Sequence, residues 1–198
     1  MNEAVVFGIR GAAGFEMACR LLENGCSVIG LDGEESISEL EDKLMMIGRN
    51  ANFSLVVAES LQCLPDMALA ADMWIIPAID WTTAIEAVKQ MENIVPIVQL
   101  KSDWKHTRFV FIQQCPAERQ KFGFHKCLQK CQLWLSNHGA SIQNYYIQAG
   151  EDGEPFIISE GAARRIPIPE CLLPDQIIGH ASEVIMREED TISIGRDR

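Results

Sequence analysis

Val5-Val6-Phe7-Gly8-Ile9-Arg10-Gly11-Ala12-Ala13-Gly14-Phe15 decides how this chain is read. Val5–Phe7 is a short apolar run of the kind a buried strand needs, and Gly8 ends it. Over residues 13–24, Phe15, Ala18, Leu21 and Leu22 recur at helical spacing while Glu16, Arg20 and Glu23 turn outward. Gly8, Gly11 and Gly14 therefore stand between a strand and a helix. A phosphate approaching the N-terminus of such a helix needs bare backbone N–H groups, which Cβ atoms at these places would block. The third glycine also lets helix and strand pack closely. Gly25 stops the helix, since it can take the left-handed cap conformation. Val28–Leu31 forms a second strand, and eighteen residues after Gly14 comes Asp32 at its end. A carboxylate there accepts hydrogen bonds from both hydroxyls of an adenosine ribose and repels a 2′-phosphate. Strand, glycines, helix, strand and acid in this order point to a bound dinucleotide, against the plainer reading of a tight turn with a surface acid. Asp32 favours NAD over NADP, although Arg10 in the turn could neutralise a 2′-phosphate.

Working outward, the same rhythm continues. Leu55–Val57 and Met73–Ile76 read as strands, the latter stopped by Pro77. Residues 82–92 read as a helix. Ile94–Leu100 and Phe109–Ile112 are both strand-like, separated by the polar stretch 101–108. A helix over about 119–137 and a strand at Ser141–Ile147 follow, then a helix around 175–187 and a last strand at Thr191–Ile194. Apolar strands alternating with helices predict an α/β protein. The expected architecture is a Rossmann-like three-layer α/β/α sandwich with a mostly parallel, doubly wound sheet of six or seven strands. Gly8–Gly14 should lie at its carboxyl edge, with one domain spanning 1–198.

Composition narrows the setting. The chain has 198 residues, 47% hydrophobic and 23% charged, as a folded protein does. Its formal net charge of −11 argues against nucleic acid and membrane surfaces as partners. No apolar run is long enough to span a bilayer, and Met1-Asn2-Glu3-Ala4 carries no basic flank of a signal peptide. Seven scattered cysteines suit a reducing, cytoplasmic setting. His125, Cys127 and Cys131 crowd one helix, but two thiolates without a second cluster do not make a metal site, so no metal is expected.

Beyond these features the chain resembles the short-chain dehydrogenase/reductase family along nearly its whole length. Phe7–Phe15 is similar to that family's glycine-rich turn, in the spacing of its extended and atypical members. Asp72-Met73-Trp74-Ile75-Ile76-Pro77-Ala78-Ile79 resembles the fourth strand with its Asn-Asn-Ala-Gly ending, of which only Ala78 survives. Phe122-Gly123-Phe124-His125-Lys126 falls where the family has Tyr-x-x-x-Lys, and His138–Asn144 followed by Ala149-Gly150 is similar to the sixth strand and its Pro-Gly ending. The resemblance implies that Lys126 holds the nicotinamide ribose. With the glycine turn it gives a cofactor set of Gly8, Ile9, Arg10, Gly11, Gly14, Asp32, Ala78 and Lys126.

The departures bear on chemistry. The family's tyrosine moves the substrate proton with help from the lysine and a serine after the fifth strand. Here Phe122 has no ionisable proton, and the serine position offers Gln113 and Gln114, whose amides cannot relay one at neutral pH. The lid region between Gly150 and Leu173 is short. Tyr145 and Tyr146, at the end of the sixth strand, are candidates for a displaced phenol, Tyr146 first, against simple aromatic packing. The apolar residues of the 119–137 helix spread over more than one face, which suits the two-fold pairing the resemblance implies, as a homodimer or with a related subunit. The leading expectation is a pseudoenzyme: a dinucleotide-binding or partner subunit. The alternatives are an oxidoreductase using a displaced acid and a structural subunit without nucleotide.

Overall fold

β1 (Glu3–Phe7) is buried almost throughout because it runs through the middle of an eight-stranded sheet in the computed structural model. The structure describes residues 3–32, 41–57, 66–81, 84–100, 103–114, 122–149, 155–159 and 164–167. β2 (Ser27–Asp32) and β3 (Phe53–Val57) lie to one side of β1. On the other side follow β4 (Met73–Ile76), β5 (Arg108–Gln114), β6 (Ser141–Ala149), β7 (Pro155–Ser159) and β8 (Arg164–Pro167). The first six strands are parallel, in the order 3-2-1-4-5-6, and β7 and β8 return antiparallel. The α/β class and the doubly wound parallel sheet are thus as expected, but the strand count is higher. Five residues separate β6 from β7, fewer than any crossover requires, so Phe156-Ile157-Ile158 can only turn back along β6. Part of the stretch read as a short lid therefore belongs to the sheet.

Helices cover both faces, which is why the strands are apolar on both. On one face α1 (Ala12–Glu23) and α2 (Glu41–Ile47) bury Met17, Ala18, Leu21, Leu22 and Leu44 against Ala4, Val6, Val28, Ile75 and Val110. On the other, α3 (Asp66–Ala70), α4 (Ala84–Gln99) and α5 (Phe122–Asn137) bring Ala68, Ile94, Ile97, Leu128, Cys131 and Leu135 onto Val5, Phe7, Trp74, Phe109 and Phe111. Trp74, Trp104 and Phe109 meet there edge-on and stacked, with centroids 5.2–5.8 Å apart. Among the described residues no helix is long and apolar enough to cross a membrane.

Gly25 (φ 78°) and Gly139 (φ 88°) end α1 and α5 in the same way. Cys26 donates to the Leu21 carbonyl and Ala140 to that of Leu135, each at 3.0 Å, so left-handed glycines satisfy the last carbonyls and swing the chain into β2 and β6. One expected strand is absent. Ile94–Leu100 continues α4 up to Gln99, with Pro96 inside the helix. The run looked extended because its residues are apolar in succession, yet Ile94 and Ile97 are buried at helical spacing while Val95 faces solvent. α3 was not anticipated. On α5 the apolar spread sorts into Leu128, Cys131 and Leu135 under the sheet, half-buried Trp134, and Leu133 exposed. The helix and strand expected beyond residue 174 lie outside the described residues.

Burial pushes the Cys131 thiol up from 9.0 to about 11. The unfolded chain then loses this proton at a lower pH than the folded one, so stability falls as pH rises from about 9 to 11, by up to about 2–3 kcal/mol. Urea melts across that range should show a shallower alkaline loss for Cys131→Ala than for the wild type. Identical slopes would contradict this burial.

Candidate functional site

The sheet order reverses direction between β1 and β4, the switch point at which open α/β sheets take their ligands beyond the carboxyl ends of the strands. The turn from β1 to α1 lies at this switch point. Gly8 takes φ 67° and donates to the Leu31 carbonyl at 2.7 Å, which ties the turn to the end of β2. Gly11 closes back on the Gly8 carbonyl at 3.0 Å. A Cβ on Gly14 would overlap that same carbonyl oxygen, so α1 can begin this close to β1 only with glycine at 14. Ile9 is fully buried and seats against Gly30 of β2, so its side chain belongs to the core and only its backbone to the turn.

Asp32 arrives one residue after the anchored Leu31. Its Oδ2 accepts the Arg10 backbone N–H at 3.0 Å and lies 4.0 Å from Arg10 Nε. The acid and the cation that sequence set in opposition over cofactor choice are therefore neighbours, paired with one another. Both are largely enclosed, with Asp32 the more so.

The residue sequence reasoning missed is Asp80. It closes a short 3-10 turn, Ala78–Asp80, that follows β4 through Pro77. Gly11 is the N-cap of α1 and has no side chain to satisfy the first free amides. Asp80 supplies the missing acceptor from the turn after β4. Ala13 N–H donates to Oδ1 at 3.0 Å and to Oδ2 at 3.1 Å, and Gly14 N–H donates to Oδ2 at 3.0 Å. A Cβ on Gly11 would run into this carboxylate. The signal was present: β4 is the neighbour of β1, so an acid just past β4 falls beside the glycine turn. Ala78, the expected contact in this segment, is buried in the core two residues earlier.

Farther along the carboxyl edge lie the residues that would carry chemistry. Phe122 is the first residue of α5, and Lys126, one turn on, is exposed. Gln113, on β5, is buried and donates its amide to Asn144 Oδ1 at 2.9 Å, while Gln132 of α5 donates to the same oxygen at 2.7 Å. This amide cluster links β5, β6 and α5, and it holds no group that changes protonation near neutral pH. Tyr145 is fully buried with Val110, Ile112 and Ile147, on the α1 side of the sheet. Tyr146 is half-buried and pairs in register with Gln113. Gly150 lies outside the described residues. Cys131, its thiol held protonated by burial, is a packing residue.

A glycine turn at the switch point of a 3-2-1-4-5-6 sheet makes this a Rossmann-like α/β protein. Solved structures define the fold further. A protein of Aeromonas hydrophila assigned to the short chain dehydrogenase/reductase family is 12% identical, with 92% of this chain and 90% of that one covered and a TM-score of 0.54. The yeast methylglyoxal/isovaleraldehyde reductase Gre2, solved with NADPH, is 17% identical with a TM-score of 0.52, covering 74% of this chain and 53% of its own. WbmH of Bordetella bronchiseptica, solved with NAD+, is 17% identical with a TM-score of 0.51, covering 74% and 56%. This chain therefore spans about half the length of those two proteins. Its fold is that of the short-chain dehydrogenases/reductases. No family model matches the sequence, and no curated protein matches it.

Because the neighbour of Gly14 is backbone, Gly14→Ala forces α1 away from β1. The expected cost is about 1–3 kcal/mol, the range for overpacking a closely fitted site. It should be read as a lower urea midpoint, and an unchanged midpoint would show that the helix can shift freely.

Proposed function

We propose that this chain binds a nicotinamide dinucleotide, preferably NAD, and acts as a binding or partner subunit rather than as a working oxidoreductase. The binding half rests on one observation: left-handed Gly8, the backbone-tight Gly14 and the Asp32 carboxylate stand together at the switch point. That cradle fits an adenosine ribose beside Asp32 and a diphosphate over the α1 N-terminus. The complexes of Gre2 with NADPH and of WbmH with NAD+ support the ligand class. Asp32 supports NAD, since Arg10 is already engaged with it and an acid at the end of β2 repels a 2′-phosphate.

The silent half rests on what replaces a proton relay. A nicotinamide supplies or accepts hydride, and a carbonyl substrate then needs a proton from the protein. Phe122 offers none, the Gln113 amide is committed to Asn144, and Tyr145 is sealed in the core. Tyr146 is the remaining phenol near this end of the sheet.

Calorimetry should give tighter binding of NADH than of NADPH, with the gap narrowing in Asp32→Ala. Equal or tighter NADPH binding would overturn the NAD preference. The wild type should show no carbonyl reduction near the ordinary range of about 1–10³ s⁻¹. Turnover in that range would overturn the silent half, and its loss in Tyr146→Phe would then identify the proton donor.

A further inference from the structure

The two α1 amides best placed to receive a phosphate are already in use. Ala13 and Gly14 are the second and third residues of the helix, and both donate to the carboxylate of Asp80 at 3.0–3.1 Å. The space that a glycine at 11 leaves open is filled by the same carboxylate. A helix N-terminus carries partial positive charge, and an anion there is stabilising whether it arrives with a ligand or with the chain. Two anions cannot share the seat, because they need the same donors and repel each other.

We propose that Asp80 is an internal stand-in for the ligand's diphosphate, so that a dinucleotide enters the site only by displacing it. This inference rests on the dinucleotide reading above. Asp80 then stabilises the empty protein at the expense of the loaded one. What meets the Gly11 position is the Asp80 side chain, from carboxylate to Cβ, rather than backbone, so displacement takes a rotation of that side chain together with a shift of its three-residue turn. Through that turn, ligand entry is coupled to the segment between β4 and α4, which carries Pro77 and the buried Trp81.

The test compares the wild type, Asp80→Asn and Asp80→Ala by two readouts, calorimetric titration with NADH and thermal melting without ligand. Asparagine keeps an oxygen for the amides but removes the charge, and alanine clears the seat. NADH affinity should rise in both variants, by tenfold or more in Asp80→Ala. The melting temperature of ligand-free Asp80→Ala should fall by about 2–4 °C, as loss of a helix cap worth about 1 kcal/mol does in a chain of this size. Opposite movement of the two readouts is the signature of an internal competitor. A lower melting temperature with unchanged or weaker NADH binding makes Asp80 only a cap and overturns the inference, while leaving the dinucleotide reading in place. No NADH binding by any of the three proteins, with the variants folded, overturns both.

Discussion

The close approach of α1 to β1 organises this molecule. With glycine at 14 against the Gly8 carbonyl, the helix starts within a hydrogen bond's reach of the strand it follows. Its positive end is thereby set against the turn that follows β4 instead of open solvent. Everything near it answers that placement. The Leu31 carbonyl holds the turn down, Asp32 takes the Arg10 amide, and the 3-10 turn after β4 presents Asp80 to the remaining donors. A helix end set deep in a fold requires such partners, because its first amides have none within the helix.

The opposite end of the carboxyl edge follows a different logic. Gln113, Gln132 and Asn144 join two strands and a helix through neutral amides, which fix relative position without storing or moving charge. A proton relay requires groups that exchange protons and some freedom to do so. Here β5, β6 and α5 are tied to each other by amides that hold their protons.

Much of the fold was legible in the sequence because its strongest signals are local. The glycine turn, the cap at Gly25 and the apolar runs of β1, β2 and β4 each act within a few residues. The failures share a cause: they depend on what a segment meets. Ile94–Leu100 is apolar at successive positions, and only the sheet beneath α4 selects the 94 and 97 pair that makes it helical. Whether Pro155–Ser159 belongs to a lid or to the sheet depends on the exposed edge of β6 beside it. Of the candidate site, Gly8, Gly11, Gly14, Arg10 and Asp32 come together, whereas the Ile9 side chain and Ala78 are core residues. Asp80 was missed because its partner amides lie sixty-six and sixty-seven positions away along the chain and only the pairing of β4 with β1 brings them beside it.

The β7–β8 hairpin has a further effect on the outline of the sheet. By occupying the flank of β6 it moves that border outward to β8, whose sequence Arg164-Arg165-Ile166-Pro167 combines two cations with a residue that has no amide hydrogen. Such a strand is a poor template for another chain. Among the described strands the far border is β3, an apolar strand with Leu55 and Val57 exposed and no proline or charge along its length. Among the described residues the two borders thus differ in kind, one carrying cations and a proline and the other only apolar residues and a serine.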